Sequence, residues 1–214
     1  MAEILNNVGV DIQSALGTAL VVTAITKANP AVVTYTAGTD PTNGTYMLIR
    51  SAGMSQIDHM VVRVANVSTI NDTFECEGLN STNFRDFVSG TSTPITFGKS
   101  FDSLLDIQMT GGEAKFTDDS DIHHDLDKEV LAGFSAFKIT GTSRFEADDS
   151  ALLEAQAASR ARSTRCVLLK FAGGAKLAIN AEVGAPLVPV ANKGERLKTS
   201  LVFSAQGFPS TWSS

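Results

Sequence analysis

Positive charge is scarce in this sequence. Its 214 residues include 17 lysines and arginines against 23 aspartates and glutamates, which gives a formal net charge of −6. Binding to the phosphate backbone of nucleic acid requires clustered lysine and arginine, so the composition argues against a nucleic-acid-binding protein. It predicts a surface to which DNA does not adhere.

Long hydrophobic runs are also missing. The most apolar stretch, residues 15–26, is interrupted by Gly17 and followed by Lys27 and Pro30, and it is too short to span a bilayer. The first residues lack the basic segment and the small-residue cleavage site of a secretory signal. We therefore expect a chain that is made in the cytoplasm and is not inserted into a membrane.

Cysteine and catalytic motifs are sparse too. The two cysteines, Cys76 and Cys166, lie within alternating strand patterns, which is typical of buried thiols in a reducing compartment. The sequence has no nucleophile elbow, P-loop, dinucleotide-binding or Cys-x-x-Cys motif. We expect neither an enzyme nor a cofactor.

One acidic segment, residues 117–130, raises the question of a metal site. Its candidate side chains are Asp118, Asp119, Asp121, His123, His124, Asp125 and Asp127. An EF-hand that began at Asp119 would require glycine and glutamate where the sequence has His124 and Val130. Adjacent histidines of an extended chain also point to opposite sides. The segment therefore predicts a long exposed loop that is solvated or contacts another molecule, without a bound metal.

Most of the remaining chain alternates between apolar and polar residues, which predicts short antiparallel strands separated by turns. Between Leu105 and Phe116 the alternation changes phase at Gly111-Gly112, which predicts a bulge or a tight bend. Gly173-Gly174 predicts a hairpin between residues 165–172 and 175–183. Residues 1–17 show no period and predict an N-terminal arm, which is either free or docked on a neighbouring copy.

A helix is predicted at about residues 148–163, which lack glycine, proline and β-branched side chains. Asp148 and Asp149 supply oxygens for the free N–H groups of the first turn, and Arg160 and Arg162 lie at the carbonyl end. We expect the buried face to carry Leu153, Ala157 and Ala161, with Leu152 beside it.

From Gly111 onward, the order of these features resembles the major tail tube proteins of long-tailed bacteriophages. The features that carry the resemblance are the segment Gly111 to Phe116, the acidic loop, the strand that Gly133-Phe134-Ser135-Ala136-Phe137 opens, the helix that begins at Asp148, the Gly173-Gly174 hairpin and the turn at Gly194 before the last strand. The stretches Ala15-Leu16-Gly17 and Ile25 to Ala31 are similar to the start of such proteins.

The resemblance implies a mainly β fold, an antiparallel β-sandwich or half-barrel with one flanking helix, made of residues 1–30 and 99–214. An extra small β-barrel-like unit at 31–98 is expected on the exterior. Six copies would form a ring, and rings would stack into a hollow virion tail tube that conducts DNA. The implied partners are other copies of the chain and the tape measure, tail terminator and distal tail proteins, with DNA passing through without specific contacts.

Two sets of residues are expected to act in this assembly. The acidic loop and the N-terminal arm would contact neighbouring rings. The bore lining is expected from outward positions of the strands at 105–116 and 133–145. Asp106 and Glu113 would give it negative charge, although Lys138 and Arg144 lie in the same region. Three other assignments stay open at this point: an outer decoration or carbohydrate-binding module, a β-sandwich hydrolase, and a capsid or tail-terminator protein. An aromatic platform would favour the carbohydrate-binding module, and one tryptophan with two tyrosines offers little for one.

Overall fold

The computed structural model describes residues 8–36, 38–120, 126–191 and 193–213. Its elements in chain order are β1 (Gly9–Leu16), β2 (Leu20–Ile25), β3 (Ala31–Tyr35), β4 (Tyr46–Ala52), β5 (Val61–Ser68), β6 (Thr73–Cys76), β7 (Ser89–Ser100), β8 (Leu104–Thr110), β9 (Ala114–Asp118), β10 (Glu129–Phe134), β11 (Lys138–Arg144), α1 (Ser150–Ala161), β12 (Thr164–Lys170), β13 (Lys176–Gly184), β14 (Lys198–Ala205) and β15 (Ser210–Trp212). The predicted fold class, mainly antiparallel β with one helix, is confirmed.

One 13-stranded sheet contains nearly all of these strands. Its order is β2-β3-β6-β5-β4-β7-β1-β12-β13-β14-β11-β8, and β15 pairs with β13. Because β2 also pairs with β7, the first six strands of this order close into a barrel. The strands that follow in this order, β1, β12, β13, β14, β11 and β8, continue as an open sheet, here called the wall. Strands β9 and β10 pair only with each other, in a separate two-stranded sheet.

The barrel has its own apolar core. Alternating side chains of its strands point inward, and the fully buried ones include Val33, Met47, Ile49 and Phe74. The barrel also takes in β2, which lies before the 31–98 unit expected from the sequence. The division of the chain into a tube domain and an exterior insert stays a prediction.

The wall packs its inner face against α1. Asp149 caps this helix, because its Oδ1 accepts hydrogen bonds from the N–H groups of Ala151 (2.8 Å) and Leu152 (3.1 Å). The helix is therefore confirmed, but the expected buried face is wrong. Ala151, Leu152, Ala155, Gln156 and Ala158 are buried, whereas Leu153 is half exposed.

Ion pairs explain why this face of the helix, and not the expected one, is buried. Both possible stripes of α1 carry small alanines, so apolar content alone does not distinguish them. Glu154 pairs with Lys99 of β7 at 2.7 Å and with Arg165 of β12 at 2.9 Å. The hydrogen bond from Lys99, with further help from Arg165, holds the pKa of Glu154 below its ordinary value.

The helix cap gives a first stability prediction. Asp149→Ala should lower the free energy of unfolding by about 1 kcal/mol, because two backbone N–H groups lose their acceptor. Urea denaturation would measure the change. Asp148→Ala is the matched control, since Asp148 is exposed and does not cap the helix; an equal loss in both variants would contradict the assignment of the cap.

The predicted N-terminal arm is wrong for residues 9–16. They form β1, which lies inside the sheet between β7 and β12. Two buried polar residues of β1 interrupt the alternation of apolar and polar residues by which a strand is recognised in a sequence. Asp11 accepts a hydrogen bond from the Ser100 hydroxyl and pairs with Lys170, and the Gln13 side chain accepts one from the N–H of Cys166. Residues 1–7, the rest of the expected arm, lie outside the described residues.

The barrel packs on the outer face of the wall near β12. Strand β12 is therefore buried on both faces, with Val167 and Leu169 in the helix-side core and Cys166 and Leu168 in the barrel-side cluster. Asn180 is buried here, and its side-chain amide hydrogen bonds to Nδ1 of His59 at 3.2 Å. The solvent-facing part of the wall is thereby limited to β14, β11, β8 and the end of β13.

Candidate functional site

Strands β9 and β10 form a hairpin that stands apart from the main sheet. Their register runs from Glu129 opposite Asp118 to Phe134 opposite Ala114. The long loop expected at 117–130 is therefore wrong at both ends, because residues 117, 118, 129 and 130 belong to strands. Asp118 and Glu129, which lie opposite each other, are exposed and acidic, so these strand ends were interpreted as loop. Asp121, His123, His124 and Asp125 lie outside the described residues.

The hairpin exposes large apolar side chains on a sheet that has no core of its own. These are Phe116, Leu126, Val130, Leu131 and Phe134, each exposed over about half of its surface or more. An isolated two-stranded hairpin is at best marginally stable in water. Contiguous exposed apolar residues mark interaction sites on soluble proteins. The hairpin thus has the properties of a segment that packs against another molecule.

Acidic residues crowd the far end of the hairpin. Its described part carries Asp118, Asp119, Asp127 and Glu129 against Lys115 and Lys128. Hydrogen bonds from the Ser120 hydroxyl and backbone N–H hold the pKa of Asp118 below its ordinary value, so this carboxylate stays charged at neutral pH. The N–H of Asp119 donates to the Lys128 carbonyl at 2.8 Å, which extends the hairpin past its strands.

A two-glycine bend sets the direction of the hairpin. Gly111 has a φ of +92°, and a Cβ added there would lie 2.1 Å from the carbonyl oxygen of Ala136. The bend predicted at Gly111-Gly112 is therefore present. Beyond it, the N–H of Ser135 donates to the Glu113 carbonyl at 2.8 Å, and the N–H of Glu113 donates to the Ser135 hydroxyl at 3.0 Å. Glu113 is exposed at the base of the hairpin, outside the wall.

The wall ends at an open edge. Within the residues that the structure describes, β8 is paired on one side only, with β11. A bulge interrupts this pairing, because the register shifts between Thr142 and Ser143. The exposed residue Asp106 lies at the bulge, and its carboxylate accepts a hydrogen bond from the N–H of Thr142 at 2.7 Å. An unpaired strand edge is a template for pairing with another chain.

The solvent-facing side of the wall is rich in hydroxyl groups. Its cross-strand rows are Asp106-Thr142-Ser200, Gln108-Thr140-Val202 and Thr110-Lys138-Ser204, and Glu182 lies beside Ser204. Arg144 and Lys198 pair at one end of this face. Lys138 and Arg144 were identifiable in this region from the sequence, but the register is needed to assemble the rows.

A second exposed segment connects β13 to β14. It comprises residues 186–191 and 193–198, here called the basic loop, and it carries Lys193, Arg196 and Lys198 against Glu195. Its exposed apolar side chains are Leu187, Val188, Val190 and Leu197. The backbones of Val190 and Lys198 bond to each other, which gives the loop a defined base. From the sequence this segment appeared only as the turn at Gly194, although its apolar residues were a usable signal.

A model of the phage tail tube protein family, TTP, matches residues 52–214, which is more than half of the chain. The chain belongs to this family. The resemblance found in the sequence is thereby confirmed, and the matched range contains the hairpin, the open edge and the basic loop. A comparison with curated proteins gave no matching relative.

Membership identifies a structural component of the phage tail. The family is a structural one and not an enzyme family, and its members associate with one another and with other tail proteins. It favours a tube protein over the decoration module, the hydrolase and the capsid or terminator protein considered from the sequence. Among the described helices, none is long and apolar enough to cross a membrane.

Proposed function

We propose that this tail tube protein forms hexameric rings that stack into a hollow tube, through which phage DNA passes into the host. The observation that carries the proposal is the open edge at β8. A sheet that leaves one edge strand unpaired is prone to uncontrolled association, and pairing with a neighbouring subunit in a closed ring removes the edge. Such a contact joins unlike surfaces of identical subunits, which is the interface type that closes rings.

The solvent-facing side of the wall is the proposed lining of the bore. Its three hydroxyl rows contain one cation, Lys138, and the paired Arg144 and Lys198 lie at one end of the face, so phosphates passing along the rows release few counterions and gain little affinity. Asp106 on this face, and Glu113 at the base of the adjoining hairpin, are the proposed acidic contributions to the bore, and they would repel phosphate over a Debye length of about 8 Å at physiological salt. Lys138 partly offsets them on the same face.

The remaining surfaces have proposed roles outside the bore. The closed barrel is proposed to lie on the exterior of the tube, beside the strands that line the bore. It packs near β12 on the same face of the wall as the hydroxyl rows and leaves β14, β11 and β8 uncovered. The hairpin, with Asp118, Asp119 and Asp127 near its end, would make the inter-ring contact. Tape measure protein inside the tube, and terminator and distal tail proteins at its ends, are the proposed partners within the virion.

Light scattering and negative-stain microscopy at rising protein concentration test the proposal. Purified protein, alone or with the tail-tip complex that starts assembly, should form rings and then tubes of constant width. Ring formation depends on the open edge, so assembly should show a threshold concentration. A protein that stays monomeric under all of these conditions would contradict the proposed function.

A further inference from the structure

The hairpin and the basic loop leave the wall at opposite ends of the same strands. The hairpin follows Thr110 of β8 and precedes Lys138 of β11, and these two residues are paired. The basic loop ends at Lys198, which is paired with Arg144 at the other end of β11. The seven residues of β11 separate the two ends by roughly 20 Å. The two segments therefore leave the wall at opposite ends.

Their charges are complementary. The described part of the hairpin carries four carboxylates and two lysines, a net charge of −2, whereas the basic loop carries three cations and one carboxylate, a net charge of +2. The sequence adds Asp121 and Asp125 to the acidic segment. Arg144, paired with Lys198, adds a cation next to the basic loop. Complementary potentials of this kind select a partner and fix its orientation.

Both segments also expose apolar side chains that could pack against each other. The hairpin exposes Phe116, Val130 and Leu131, and the basic loop exposes Leu187, Val188 and Val190. The rest of the described chain leaves about half or more of each side chain exposed. A contact that buries apolar area inside a rim of opposite charges has the composition of a specific protein interface.

We propose that the hairpin of one copy docks on the basic loop of a second copy in the adjacent ring. This inference rests on the proposed function, and it names the surface that receives the hairpin. Because donor and acceptor lie at opposite ends of the wall, each copy offers its hairpin in one direction and its basic loop in the other. Contacts of this kind repeat head to tail and extend without limit.

A charge-reversal experiment tests the pairing. The first variant, Lys193→Glu with Arg196→Glu, changes the basic loop from +2 to −2, and the second, Asp119→Lys with Glu129→Lys, changes the described part of the hairpin from −2 to +2. All four side chains are exposed, so both variants should fold. Each variant alone presents like charges at every ring junction and should raise the threshold concentration for tubes at least tenfold. Rings of each variant, assembled separately and then mixed in equal amounts, can alternate along the tube and should restore tubes.

The control variant reverses two cations on the barrel, Lys27→Glu and Arg85→Glu, and should assemble like the wild type. Lys27 has an exposed ion pair with Asp86, which contributes little to stability. If circular dichroism shows that the first variant does not fold, Lys193→Gln with Arg196→Gln replaces it. The threshold concentration for tubes should still rise tenfold. The measurement is light scattering, with microscopy of the products.

The outcomes distinguish a failure of the pairing between hairpin and basic loop from a failure of the proposed function. Unchanged tubes from the first variant, or a mixture that does not assemble, would overturn the pairing of hairpin and basic loop and leave the proposed function intact. No tubes from the wild type, with or without the tail-tip complex, would instead contradict the proposed function. Tubes from the mixture, with neither variant assembling alone, support the inference.

Discussion

A chain without residues 118–127 should fold normally and form rings, but it should not form tubes. The design joins Thr117 to Val130, which are paired across the hairpin, through Lys128→Asn and Glu129→Gly. Asn-Gly is a favoured two-residue hairpin turn, so the shortened strands keep their register. The deletion removes the acidic end of the hairpin and none of the residues of the apolar cores.

The expected loss of tube assembly is large because every ring junction uses the same contact. We expect no tubes at roughly 100 times the concentration at which the wild type assembles, which corresponds to about 2.8 kcal/mol per contact. Circular dichroism and thermal unfolding should match the wild type, and gel filtration should still show rings. Tubes of normal length from this variant would show that the hairpin end has no role in stacking.

Gly111→Ala should be the most damaging single substitution at the base of the hairpin. Its new Cβ would lie 2.1 Å from the Ala136 carbonyl oxygen, and the φ of +92° is a conformation that alanine strongly disfavours. Either the bend opens and redirects the hairpin, or the pairing of β8 with β11 is disturbed. We expect a loss of at least about 2 kcal/mol in the free energy of unfolding and no tubes.

Gly112→Ala is the matched control for this substitution. Gly112 has a φ of +78°, but a Cβ added there has no atom within 4 Å. Gly112→Ala should therefore lower the free energy of unfolding only by the strain of the left-handed conformation, about 1 kcal/mol. The variant should still assemble. Urea denaturation measures both variants. Equal effects would show that backbone strain, and not the close approach to Ala136, determines the direction of the hairpin.

The helix illustrates what sequence patterns could predict. Its composition and its capping aspartate act within a few residues of each other, so a local pattern was sufficient to locate α1. The buried face was wrong because Leu153 and Leu152 are equally apolar. The deciding contacts, from Glu154 to Lys99 and Arg165, join residues far apart in the chain. Such contacts are not visible as a local period.

Strand β1 and the hairpin show a second limit. Asp11 and Gln13 interrupt the pattern of β1 as polar residues, yet both are buried because Ser100, Lys170 and the N–H of Cys166 provide partners. In β9 the alternation was recognised only as far as Phe116; residues 117, 118, 129 and 130 lie in strands with both faces exposed and were assigned to a loop. A strand is recognisable in sequence only when one face is apolar and the other polar.

The candidate surfaces were partly predictable. The acidic segment, the bend at Gly111-Gly112 and the exposed residues Asp106 and Glu113 could all be named from the sequence. The open edge could not, because it depends on the order of the strands in the sheet. The complementarity of the hairpin and the basic loop also requires the register of β11 with its two neighbours, which places them at opposite ends.

Cryo-electron microscopy of wild-type tubes, with helical reconstruction, tests the central claim most directly. The account predicts six copies per ring around an open bore, with β8 of each copy paired to a neighbour and the hydroxyl rows of β8, β11 and β14 facing the bore. The barrel should lie outside, and the potential of the bore should not be positive on average. A solid filament, a bore lined by the barrel, or a β8 edge left unpaired in the assembled ring would contradict it.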